Sequence, residues 1–170
     1  VIASLPFSNP KGTAVQFRYL FVTDSKGLHI VDITSIHQPR TVTPASIALG
    51  DARSVYLART YAYVAGGAEG LVIVDIEKPE SPFVYQRFTA NGAINDLYDV
   101  KVATTNASLF AYLADGKNGL KVVQLTDPER VPTYYGFSPD VKPKLIAWKH
   151  THGPALSLSR GLARDRAVDE

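Results

Sequence analysis

The chain has 170 residues, with 18 basic and 16 acidic side chains giving a net charge of +2, and it contains neither Cys nor Met. So even a balance excludes the dense basic field of a nucleic-acid or membrane-surface protein, and the lack of Cys excludes thiolate metal sites, Cys nucleophiles and covalently attached c-type haem on this chain. With 45% hydrophobic residues the composition is that of a globular domain, no apolar run nears the ~18 residues of a membrane helix, and the lack of Met leads to the expectation of a processed chain or a fragment.

In chain order, residues 1–13 read as the end of a preceding unit or a linker, with 1–7 as its outer strand. A repeat then runs from 14 to 140. Its first copy has a predicted strand at 14–17 and a strand pair within 19–33 around a loop that ends at Gly27. The second has a strand at 53–57 and a pair within 61–76 around Gly66, Gly67 and Gly70. The third has a strand at 97–102 and a pair within 110–125 around Gly119. Each pair leads through a Pro-bearing turn (Pro39; Pro79 and Pro82; Pro128 and Pro132) into a fourth predicted strand, at 40–47, 83–88 and 132–137.

Within each unit the apolar pattern has period two, β-branched and aromatic residues dominate, and Gly, Asp and Pro interrupt every few residues. These are strand signals, and such breaks would not sustain a helix. Leu71, Val72, Ile73 and Val74 are apolar at every position, as expected for a strand covered on both faces. Four short strands per roughly 45 residues is the arithmetic of a β-propeller blade, so the fold class is all-β with three recognisable four-stranded blades. Propellers close with about 4–8 blades, so we expect part of a larger or multi-chain propeller.

Beyond Pro143 the repeat grammar stops. Residues 144–148 read as the inner strand of a following blade, and 141–170 as a partial next blade or a C-terminal arm. Arg160, Arg164 and Arg166 are interspersed with Asp165, Asp169 and Glu170, a mixed pattern that argues against a phosphate site.

The run Leu71, Val72, Ile73, Val74, Asp75 resembles the signature of the LVIVD-repeat β-propeller family. The first copy reads Leu28, His29, Ile30, Val31, Asp32, and the third reads Leu120, Lys121, Val122, Val123, Gln124, replacing the terminal Asp. The resemblance implies propeller blades and an extracytoplasmic address (periplasmic, secreted or cell surface), without a defined reaction. It also implies multi-haem cytochromes as occasional neighbours.

Candidate sites are few. His150 and His152 would share a face on a strand and reach one metal ion, but a third ligand is missing and an exposed His pair is the blander reading. Asp24, Asp32, Asp75 and Asp115 read as turn caps rather than Ca²⁺ ligands, because no dense Asp loop supplies six to eight oxygens. Asp96 and Asp99 flank Tyr98 near the start of the third unit and read as solvated carboxylates. Tyr61, Tyr63 and Tyr112 read as filling between blades. Asn106, in a hairpin over 103–109 expected to project, and Tyr85, Tyr134 and Tyr135 on outer strands are the partner-contact candidates.

No nucleophile motif, phosphate loop or metalloprotease motif is present, and no cofactor is expected. The leading expectation is a non-enzymatic extracytoplasmic module for protein–protein interaction or assembly, partnered by a protein or a further propeller segment. A homo-oligomer is a variant of this. The alternatives are a propeller enzyme or glycan binder, with a site at the central mouth near residues 51–53 and 95–99, and a scaffold subunit beside a multi-haem cytochrome.

Overall fold

A computed structural model describes residues 1–105, 108–131 and 136–159. Three antiparallel sheets follow one another along the chain. The first consists of β1 (Gly12–Gln16), β2 (Tyr19–Asp24), β3 (Gly27–Asp32), β4 (Arg40–Thr41) and β5 (Ile47–Ala48), the last two both pairing with β3. A short 3₁₀ turn, Thr43–Ala45, separates those two. The single outer strand expected over 40–47 is therefore broken, because Pro44 cannot donate to a ladder.

The second sheet orders β6 (Ser54–Ala58), β7 (Tyr61–Ala65), β8 (Leu71–Asp75) and β9 (Phe83–Phe88) in sequence. The third orders β10 (Asp99–Thr105), β11 (Ser108–Ala114), β12 (Leu120–Thr126) and β13 (Lys144–Lys149).

Two expectations are corrected by pairing. The fourth strand of the third sheet is β13, bonded to β12 from Leu120↔Lys149 to Gln124↔Lys144. Residues 144–148 thus close the third sheet rather than open a following one. The strand expected at 132–137 falls mostly outside the described residues. Residues 1–7 form no strand. The 103–109 hairpin is not a long loop either: Thr105 pairs with Ser108, so β10 and β11 run to seven residues each against five in β6 and β7. The extra length is ladder, and Asn106 itself lies outside the described residues.

Strand alternation distributes the core into two layers. Tyr61, Tyr63, Leu71 and Ile73 face the third sheet and pack on Val100, Val102, Ala111, Leu113, Val123 and Leu125. Ala62, Val64, Val72 and Val74 face the first sheet and pack on Tyr19, Phe21, Leu28 and Ile30. The second sheet is thus sandwiched, which accounts for the unbroken apolar run in β8. Successive innermost strands β1, β6 and β10 lie side by side. At this crossing the backbones nearly touch, since a Cβ on Gly12 would stand 3.1 Å from the Ser54 Cα. The sheets fan outward from these strands as an open arc, not a closed ring.

The two ends of the arc differ. On the far face of the first sheet Val22 and Val31 are buried, and the leading segment crosses there. The Phe7 ring lies 5.5 Å from that of His29, and the Ser8 N–H donates to Asp24 Oδ2 at 3.0 Å. The far face of the third sheet keeps Tyr112 and Leu120 each 37% exposed.

Candidate functional site at the inner mouth

The segments leading into β6 and β10 meet at one end of the inner strands, and with Lys11 they form a line of alternating charges. Arg53 Nε donates to Asp51 Oδ2 at 2.5 Å and Arg53 Nη1 to Asp96 Oδ1 at 3.1 Å. Lys11 Nζ holds the other oxygen of Asp51. The Arg53 guanidinium carbon sits 3.9 Å from the centre of the Tyr98 ring, within cation–π range. Asp96 Oδ2 accepts the Lys117 N–H at 3.3 Å. Burial works against both charges in the Asp51–Arg53 pair. Even so, the hydrogen bonds from Lys11 and Arg53 hold Asp51 below the usual carboxyl range, and those to Asp51 and Asp96 hold Arg53 above its ordinary value.

One layer deeper lies Asp99, at the first position of β10. It is buried rather than solvated as the sequence suggested. Oδ1 accepts the Ser54 hydroxyl at 2.5 Å, the Val100 N–H at 2.9 Å and Lys101 Nζ at 2.7 Å, while Oδ2 accepts the Leu158 N–H at 2.8 Å. Burial pushes this carboxyl up, and the bonds from Lys101, Ser54 and Leu158 outweigh it, leaving the group below its ordinary value. One side chain therefore ties β6, β10 and the segment after β13 together. Only the pairing of distant chain segments could reveal this.

The repeat aspartates act as turn caps. Asp32 Oδ1 accepts the Thr34 N–H at 2.8 Å, and Asp75 Oδ1 accepts the Glu77 N–H at 2.9 Å. Where the third copy has Gln124, the same cap reappears three residues on: Asp127 Oδ1 accepts the Glu129 and Arg130 N–H groups at 3.0 and 2.9 Å. The longer β12 moved the turn, and the cap moved with it.

The remaining candidates disperse. His150 and His152 follow β13 rather than lying on it, so the strand geometry that would align them is absent. Among the described residues no group of three His, Asp or Glu could hold a metal ion. Tyr85 packs edge-on against Tyr61 at 5.3 Å, while Tyr134, Tyr135, Arg160, Arg164 and Arg166 lie outside the described residues. Tyr61 and Tyr63 fill the space between the second and third sheets as expected, but Tyr112 stands on the open face. A cleft of about 490 Å³ lies between β9 and β13, lined by Arg87, Phe88, Asn91, Pro143, Lys144 and Leu145 among others, none of which belongs to the charged line at the mouth. Among the described residues no helix is long and apolar enough to cross a membrane.

Successive antiparallel sheets of four or five strands, each stacked on the next with their innermost strands side by side, define a propeller-type repeat module. The LVIVD repeat model matches residues 11–39, 49–90 and 109–129, together more than half of the chain. The chain belongs to the LVIVD repeat family. No curated protein and no solved structure matches it.

Proposed function

We propose that this chain is a non-enzymatic propeller module of an extracytoplasmic assembly, working by presenting rigid sheet surfaces to a protein partner. The observation that carries the reading is the character of the outer strands. Phe83 and Tyr85 on β9, with Ile146 and Trp148 on β13, are exposed, Trp148 at 65%. Each of the two outer strands that border the cleft thus carries a pair of exposed aromatic or aliphatic groups, the residue types that binding surfaces use. At the mouth, Asp51 and Asp96 are ion-paired to Arg53 and Asp99 is bound to Lys101, Ser54 and Leu158. Pairing of this kind supports a structural role for these carboxylates. The extracytoplasmic address rests on family membership.

A photo-crosslinking amino acid placed at Tyr85 and, separately, at Trp148 tests the reading in cells that produce the protein. The expected result is one protein adduct shared by the two positions and located outside the cytoplasm. Adducts that differ between the positions, or retention in the cytoplasm, would overturn it.

A further inference from the structure

We propose that the open face of the third sheet is built to receive a fourth sheet of the same repeat, entered through residues 155–159. The proposal deepens the module reading and rests on it.

The repeat assigns equivalent positions. Phe110, Tyr112, Leu120 and Val122 stand where Tyr61, Tyr63, Leu71 and Ile73 stand in the second sheet. There the four side chains are buried against the small aliphatic face of the following sheet, and Tyr63 is 0% exposed. In the third sheet the same large and aromatic set faces outward, and among the described residues no strand ladder lies upon it. The uncovered surface is therefore one whose covering the protein itself displays one sheet earlier: a strand ladder presenting Val, Ala and Leu, as Val100, Val102, Ala111, Leu113 and Val123 do.

A second observation concerns the path of the chain. Gly67 and Leu97 exchange two backbone hydrogen bonds, at 3.2 and 3.0 Å, just before the chain enters β10. Gly116 and Ala155 repeat this exchange at 2.9 Å in both directions. Ala155 therefore stands where Leu97 stands, and residues 157–159 lie where a fourth innermost strand would begin. Asp99 accepts the Leu158 N–H there, on the same carboxylate that receives Ser54 from the preceding inner strand. The inner edge of the open face is thus already occupied in the manner of a following sheet.

A second copy is the poorer occupant. Its corresponding first-sheet face is crossed by the leading segment through Phe7 and Ser8. Pairing of two open faces would bring together Lys144 and Lys149, which share that face through their pairs with Gln124 and Leu120.

The test extends the chain by its own repeat. Residues 97–159 are duplicated after Pro154, so that the copy of Leu97 replaces Ala155, and urea unfolding is compared with that of the 170-residue chain. The extended protein is expected to unfold in one transition with a larger denaturant dependence. Tyr112→Lys is expected to change the folding equilibrium of the natural chain by less than about threefold, as at a surface position, and to weaken the extended one by at least about 30-fold. Tyr112→Phe, which keeps the ring, leaves both within about threefold. Equal effects of Tyr112→Lys in the two chains, or a copy that is digested by protease while the first three sheets survive, would overturn the proposal. So would sedimentation showing a dimer of the natural chain that Tyr112→Lys dissociates, since that assigns the face to a second copy. The crosslinking positions Tyr85 and Trp148 are separate from these residues, so failure of either experiment leaves the other readable.

Discussion

Lys121 Nζ lies 3.6 Å from Asp115 Oδ2, both side chains almost fully buried where the third sheet meets the second. The equivalent positions in the first copy hold His29 and Asp24, with Nε2 and Oδ1 2.9 Å apart. In the second copy they are Val72 and Gly66, and a Cβ on Gly66 would meet Val72 Cγ2 at 2.9 Å. The pair changes as a unit: both members are ionisable, or both are small and apolar. Lys121→Val alone should destabilise by about 3 kcal/mol, because it leaves the Asp115 carboxylate buried without its cation. Adding Asp115→Asn should recover about half of that. Urea unfolding of the single and double variants measures it, and an additive double variant would refute the coupling.

Gly70 has φ +72°, and a Cβ there would stand 2.6 Å from the Phe88 carbonyl oxygen. Gly92 has φ +88° with open space around it. Gly92→Ala should therefore cost only the left-handed backbone penalty, about 1 kcal/mol. Gly70→Ala should cost about 2–4 kcal/mol, because the β8–β9 edge must also shift. Thermal unfolding of the two variants separates the steric part from the conformational one.

Acid should unfold the protein through its bonded carboxylates. Asp24, Asp51, Asp99 and Asp127 all lie below the usual carboxyl value. In each, hydrogen bonds to the charged form outweigh the cost of burial. A depressed native value means the unfolded chain binds more protons in acid. The stabilisation is complete above the unfolded value of about 3.9 and is lost as pH falls through the native values. The melting temperature should stay level from about pH 7 to pH 5 and fall below about pH 4. Asp99→Asn should lower stability by about 2 kcal/mol at neutral pH and flatten the acid limb. An acid limb unchanged in that variant would remove Asp99 from the account.

The Tyr63 hydroxyl is buried with no hydrogen-bond partner among the described residues. Burial pushes its ionisation far above the ordinary value and raises that of Tyr61 to about 12. Tyr63→Phe removes an unsatisfied polar atom and keeps the ring, so it should be neutral or stabilising by about 1 kcal/mol. In a spectrophotometric alkaline titration the native protein should release fewer tyrosine protons before it unfolds than its nine Tyr would allow. The Tyr63→Phe variant should show the same count.

The three inner strands of each sheet, and the outer strand Phe83–Phe88 of the second, were legible because strand periodicity is local. Tyr61, Tyr63 and Ala65 alternate with Ala62 and Val64, and the run from Leu71 to Val74 announces that both faces are covered. The turn caps at Asp32 and Asp75 were legible for the same reason, since the bonded N–H lies two residues away. The fourth strand of the third sheet was not. Its partner is β12, but residues 127–143 intervene, and nothing in the intervening pattern specifies which later segment supplies the ladder.

The same distinction separates the two states of one side chain. Sequence alone determined that Tyr112 is a strand tyrosine equivalent to Tyr63. Only the tertiary structure decided that Tyr63 is sealed between two sheets and Tyr112 faces outward, or that Asp99 is buried beneath Ser54, Lys101 and Leu158. Periodicity says how side chains alternate along a strand. Burial depends on which distant surface arrives to cover them, and that is settled by packing across the whole chain.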